Sequence, residues 1–142
     1  MMFFKKLTCL IACLYLLNGC DDMASSDNRA LLNAQCAANQ SCLFLNEVKI
    51  WLSDTQLSPE TPFSIFIDLP AHYKITNSRL EGITMYMGYI PQQFKQKGAF
   101  WQSDTMVGVC AQENMLWNLE VELMQIDNQT QHTLDYYFYV KQ

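Results

Sequence analysis

Positive charge is scarce in this chain: nine Lys and Arg stand against 14 Asp and Glu, a formal −5 at pH 7. Nucleic-acid phosphates are held by clustered cations, so the balance argues against that class of partner. Histidine is scarcer still. His72 and His132 are the only two, and no H-x-x-x-H metal pair exists. The chain also lacks a G-x-S-x-G nucleophile turn, a phosphate-cradling glycine loop and a C-x-x-C redox pair. Glu120 and Glu122 share a side but alternate with Leu119, Val121 and Leu123, the pattern of solvated strand positions rather than of an acid/base pair. These absences lead us to expect a protein that is not an enzyme. No repeat or low-complexity run divides the chain, and its length suits one domain.

What is present begins at the N-terminus. Lys5 and Lys6 precede an apolar run from Leu7 to Leu17, the layout of a signal peptide. The run is about 11 residues, where a helix needs roughly 20 to cross a bilayer. It closes on Leu17-Asn18-Gly19-Cys20, which resembles the lipobox of bacterial lipoproteins. That family implies a thioether lipid on Cys20, cleavage before it and acylation of the new N-terminus. Each buried methylene then adds about 0.8 kcal/mol, which makes release from the membrane negligible. The resemblance places the protein in the cell envelope, facing the periplasm, and Asp21 and Asp22 resemble the signal that retains such proteins at the inner membrane. Residues 1–19 are then the signal peptide, 20–41 a lipidated tether with a short helix, and 42–142 the folded domain. Losing Lys5 and Lys6 leaves seven cations against 14 acids, a formal −7, which suits a domain held off anionic headgroups except through its lipid.

Cys9 and Cys13 leave with the signal, so Cys36, Cys42 and Cys110 remain beside Cys20. In an oxidising compartment two of these three should pair and one should be left over. Cys36 and Cys42 can close a short loop around Ala-Ala-Asn-Gln-Ser. Alternatively Cys42 can join Cys110 across two sheets, and the sequence does not choose between these pairings.

Asp27 is placed to cap a short helix running through Arg29, Ala30, Leu31, Leu32, Ala34 and Ala37. From Cys42 the period changes to two. Phe44, Val48, Ile50 and Leu52 predict one strand, and Pro59 and Pro62 then break the chain. Phe63, Ile65, Ile67 and Leu69 predict the next strand, and others follow near Leu80–Tyr89 and Ala99–Val107. Met115, Trp117, Leu119, Val121 and Leu123 form the clearest one. Leu134, Tyr136, Phe138 and Val140 form the last. A short strand at His72–Ile75 completes six or seven strands with no long helix between them, which predicts an antiparallel β-sandwich.

Three stretches carry a second resemblance: Gly82-Ile83-Thr84-Met85-Tyr86-Met87-Gly88-Tyr89-Ile90-Pro91, Lys97-Gly98-Ala99-Phe100-Trp101, and Met115-Leu116-Trp117-Asn118-Leu119-Glu120-Val121. Together they resemble the YtkA-like and FixH-like extracytoplasmic domains. That group implies an immunoglobulin-like or cupredoxin-like sandwich, and several of its members are associated with copper supply or oxidase assembly. In the residues themselves, Met85 and Met87 are two apart and predicted on one strand face, while Cys110 and Met115 flank a turn. Thioethers with a thiolate select Cu(I), so Met85, Met87, Cys110 and Met115 are the candidate ligands. Set against this, methionines sharing a face with Ile83 or Trp117 also serve as core filling.

Trp51, Trp101, Tyr137 and Tyr139 fall on outward or ambiguous faces, where Trp and Tyr mark partner surfaces. Two expectations follow. The first is a Cu(I)-handling envelope lipoprotein, linked to respiratory oxidase assembly. The second is a non-metal module that binds a protein of a membrane-associated complex.

Overall fold

A computed structural model describes residues 25–142. The expected signal peptide, the expected lipidation site at Cys20 and the Asp21-Asp22 pair lie outside the described residues. The elements are α1 (Ser25–Leu32), β1 (Cys42–Phe44), β2 (Val48–Leu52), β3 (Phe63–Asp68), β4 (Tyr73–Gly82), β5 (Tyr89–Pro91), β6 (Lys95–Lys97), β7 (Phe100–Thr105), β8 (Asn114–Gln125) and β9 (Gln131–Lys141). They form two antiparallel sheets, ordered β1-β2-β3-β7-β6 and β5-β4-β8-β9. The antiparallel β-sandwich expected from the alternation is the observed architecture, with nine strands among the described residues rather than six or seven.

Alternation decides what is buried. Val48, Ile50 and Leu52 of β2 and Phe63, Ile65 and Ile67 of β3 line one inner face; Met115, Trp117, Leu119, Val121 and Leu123 of β8 and Leu134, Tyr136, Phe138 and Val140 of β9 line the other. Phe63 meets Phe138 edge-on across the gap, with ring centroids 5.7 Å apart. Both sheets thus bury the stripe that their period predicts.

Several sequence expectations need correction. The strand predicted through Phe44–Leu52 is a hairpin, because Leu45 and Asn46 both adopt positive φ and Glu47 N–H donates to the Phe44 carbonyl at 3.0 Å. Neither residue is glycine, so composition gives little warning of this turn. The helix ends at Leu32 rather than reaching Ala37, and Asp27 lies inside its first turn rather than capping it. The strand predicted near Leu80–Tyr89 is two strands, β4 and β5, joined by residues 83–88. The short strand expected at His72–Ile75 is the start of β4. A bulge between Ile75 and Asn77 flips the parity of that strand, so Tyr73 faces the core on one side of it and Ser78 and Leu80 on the other.

Two side-chain amides close the open flanks of the sandwich. Asn39 donates its backbone N–H to the Tyr137 carbonyl, exchanges two hydrogen bonds with the Tyr139 backbone, and donates from Nδ2 to the Thr55 carbonyl. It thereby ties the edge of β9 to the β2–β3 connection. Cys36 and Cys42 form a disulfide that closes the loop bearing Asn39. On the opposite flank Gln92, where the chain passes from β5 toward β6, accepts from the Ser78 hydroxyl of β4 at its backbone carbonyl, while its side-chain amide accepts from Ser103 and donates to Thr105 of β7. Buried amides on crossings between sheets need such partners, since an unmatched polar group there is destabilising.

Candidate functional site

Two connections meet at one end of the sandwich. Residues 83–88 join β4 to β5 within one sheet and carry Met85 and Met87. Residues 106–113 cross from β7 in one sheet to β8 in the other and carry Cys110, and Met115 is the second residue of β8. With Cys36 and Cys42 joined, Cys110 is the one free cysteine among the described residues.

The structure brings two of the four candidate sulfur atoms into contact and sets a third candidate residue under the same turn. Cys110 Sγ lies 3.4 Å from Met85 Sδ. Met115 packs beneath the same turn. A Cβ built on Gly82 would stand 2.6 Å from the Met115 terminal methyl and 2.5 Å from the Met85 carbonyl oxygen. Glycine is therefore what allows residues 82–85 to double back over Met115. Exposure grades outward, with Met115 at 3%, Cys110 at 9%, Met85 at 38% and Met87 at 45%. Met85 and Met87 lie on a connection rather than on one strand face, because the chain leaves the regular ladder after Gly82. Met87 stands furthest out.

The backbone ahead of Met85 is pinned to β8. Ile83 N–H donates to the Leu116 carbonyl at 2.8 Å, and Leu116 N–H donates to Thr84 Oγ1 at 2.9 Å. The Thr84 hydroxyl donates in turn to Asp27 Oδ2 of α1 at 2.8 Å. On the other connection, the Gln142 side-chain amide donates to the Cys110 carbonyl, and Gln142 N–H donates to the Glu113 carbonyl. Val107 is buried, and its carbonyl accepts from Glu60 N–H at 2.8 Å.

A thiol and a thioether can share a soft cation, and a mobile unbranched Met can shift to meet it. Metal–thiolate bonds of about 2.3 Å would put two such sulfurs about 3.8–4.0 Å apart at tetrahedral or trigonal angles. The observed 3.4 Å asks Met85 to retreat by only about half an ångström to reach that spacing. Among the described residues no three His, Cys, Asp or Glu side chains gather as a metal site. A ligand set at this end therefore has to draw on thioethers.

The aromatic candidates are dispersed. Trp51 stacks on Phe66 at 5.4 Å and meets Phe100 edge-on at 5.6 Å, on the outer face of the first sheet, with Lys49 Nζ 5.6 Å from its ring. Trp101 sits opposite Ile67 and so shares the core-facing side, half-buried at the margin. Tyr137 and Tyr139 lie half-buried on β9, and burial raises both phenol pKa values; Asp135 adds to the rise at Tyr137 and Asp27 at Tyr139.

The opposite end of the molecule holds what sequence reasoning missed. Both histidines flank Tyr73. His72 Nε2 is 3.2 Å from Glu47 Oε1, the Tyr73 hydroxyl donates to that same oxygen at 3.0 Å, and the His132 ring meets Tyr73 edge-on at 5.9 Å. These residues come from the β1–β2 turn, the entry to β4 and the start of β9, so no local spacing announces them. Desolvation, and then Glu47, raises the Tyr73 pKa. β4 separates this cluster from the sulfurs by about 30 Å, at roughly 3.3 Å per residue.

No protein-family model, curated protein or solved structure matches this chain.

Proposed function

We propose that this protein is an envelope lipoprotein, anchored through Cys20, that handles Cu(I) at the end of the sandwich where Cys110 and Met85 meet. The observation that carries the reading is the 3.4 Å approach of the free Cys110 thiol to the Met85 thioether. In the bound state Cys110, as thiolate, and Met85 are the central ligands, Met115 lies beneath them, and Met87 is the outer thioether. The protein holds and passes on the ion without catalysing a bond change, and supply to a respiratory oxidase under assembly is the role that the YtkA-like and FixH-like resemblance adds. Periplasmic exposure and inner-membrane retention belong to the same proposal.

The test is Cu(I) titration of the chain from Asp21 onward against a competing chelator, after free thiols are counted. One free thiol and tight one-to-one binding are expected. Cys110→Ser should abolish that binding and Met85→Leu should weaken it about tenfold, the worth of one soft ligand at roughly 1.4 kcal/mol. Wild-type protein that fails to compete for Cu(I), or a Cys110→Ser/Met85→Leu double variant that competes equally well, would refute the reading.

A second reading rests on the aromatic group of Trp51, Phe66 and Phe100, which sits on an outer sheet face with Phe100 exposed. In that case the protein is a non-metal module that docks on a protein of a membrane-associated complex. A photocrosslinker at Trp51 in intact cells should then trap one defined envelope protein whether or not copper is present. An exclusively self-linked product would rule it out.

A further inference from the structure

Leu116 N–H points to the place where β4 has just left the ladder. Gly82 pairs with Trp117 as the last regular pair, and one residue later the chain turns back under Met85. Leu116 is fully buried, so its N–H needs a partner from the protein. The partner is the Thr84 hydroxyl. Having accepted from Leu116, that hydroxyl has a single hydrogen left to give, and Asp27 Oδ2 receives it. The result is one directional chain: β8 amide, Thr84 hydroxyl, Asp27 carboxylate. Bonds in such a chain polarise one another, and the last, to a carboxylate, is of the stronger charge-assisted kind.

Two things make this more than a local helix contact. Asp27 belongs to α1, at 57 residues' separation from Thr84, and α1 is the element nearest to the N-terminal segment. Thr84 is bonded directly to Met85, whose sulfur lies over Cys110. The groove between α1 and the Cys110 connection is lined by Asp27, Asn28, Thr84, Gln112, Glu113 and Tyr139. The N-terminal helix and both sulfur-bearing connections therefore share one margin.

We infer that Thr84 and Asp27 are positioning residues for the Met85–Cys110 pair, so that docking of α1 sets how far the Met85 turn covers the Cys110 thiol. When the carboxylate holds the hydroxyl, Met85 is fixed and Cys110 is shielded. When α1 lifts, Thr84 is free to rotate, residues 83–88 loosen, and the thiol opens to solvent while Met85 is no longer held beside it. α1 is in this way a regulator of the sulfur site. The inference rests on the Cu(I) reading only for its second readout.

The experiment is the rate of Cys110 alkylation by iodoacetamide in the metal-free chain from Asp21 onward, for wild type, Thr84→Val, Thr84→Ser and Asp27→Ala. Circular dichroism is recorded on each to confirm the fold. Losing a hydrogen bond to a charged group should raise the opening equilibrium, and with it the alkylation rate, about 10- to 100-fold in Thr84→Val and Asp27→Ala. Thr84→Ser, which keeps the hydroxyl, should stay near the wild-type rate; a merely steric role for the Thr84 methyl, which valine keeps and serine lacks, would instead speed Thr84→Ser and leave Thr84→Val near wild type. Folded Asp27→Ala with an unchanged rate overturns the inference, as does folded Thr84→Val at the wild-type rate while Thr84→Ser reacts faster. If Thr84→Val does not fold, Asp27→Ala, which removes only the outer acceptor, decides. Cu(I) affinity should fall in step with the faster alkylation. Wild type that binds no Cu(I) while the alkylation rates move as stated would leave the clamp standing and remove the copper reading; Cu(I) binding with unmoved rates would do the reverse.

Discussion

Substituting alanine at Gly82 tests the packing beneath the sulfur cluster. In an unstrained position Gly→Ala stabilises a protein by about 0.4–1 kcal/mol, because the unfolded chain loses freedom. Here the new methyl would meet the Met85 carbonyl oxygen at 2.5 Å and the Met115 terminal methyl at 2.6 Å. The Met115 end is flexible and can swing aside. The carbonyl is backbone, held through the Ile83 and Thr84 bonds to Leu116, and it must move with its turn. Overpacking of this kind costs about 1–3 kcal/mol. Setting the entropic gain against it leaves a net loss of about 1–2 kcal/mol. For a domain of this size that is a fall in Tm of about 4–10 °C. Thermal unfolding and urea titration would measure the loss, and iodoacetamide would report Cys110 becoming more reactive as the Met85 turn is pushed off. Adding Met115→Val should recover only the part due to the thioether methyl. Gly82→Ala as stable as wild type, or more so, would show that the turn does not approach β8 this closely, and the account of why Met85 reaches Cys110 would fall with it.

Asn39→Ala removes three side-chain hydrogen bonds and leaves a residue at φ 62°; a loss of about 3–4 kcal/mol is expected by urea titration, with Asn39→Gly milder by about 1 kcal/mol because glycine tolerates that backbone. The Tyr136 hydroxyl is buried with no partner among the described residues, and burial raises its pKa. Tyr136→Phe should therefore be neutral or stabilising by up to about 1 kcal/mol at pH 7. A raised phenol contributes stability that is complete below the unfolded value near 10 and is lost as pH rises through the folded value, so the variant should also resist alkali better than wild type. Hydrogen bonds from Ser64 and Gln102, then Lys97 and Lys95 nearby, hold the Asp104 carboxyl below its ordinary range. That contribution is complete above about pH 4 and lost as pH falls through the depressed folded value, so the acid limb of stability should flatten in Asp104→Asn. An unchanged limb would remove Asp104 as its source.

The legible parts of the fold were those where one strand buries one face along its whole length. β8 alternates from Trp117 to Leu123 and β9 from Leu134 to Val140, and their predicted core residues are buried as expected; at the start of β8 Leu116 is buried as well as its neighbours Met115 and Trp117. β4 hid behind its bulge, since Tyr73 and Leu80 differ in parity and no single period contains both. The Leu45-Asn46 turn hid because positive φ at leucine has no compositional signal. Of the candidate site, the residue types were legible and their arrangement was not. Met85 and Met87 read as strand residues beside Ile83, and nothing local says that the chain leaves the ladder at Gly82.

The sequence by itself determined the layered β architecture, because burial with period two is written along each strand and needs no partner to be read. Only the tertiary structure decided the chemistry at either end. The choice of Cys42's partner, the Cys110–Met85 contact, the Asp27–Thr84–Leu116 chain and the meeting of both histidines at Tyr73 all join residues that are distant in sequence or separated by turns. Such contacts depend on how the connections cross between sheets, and that follows from the summed packing of the whole core rather than from any local pattern.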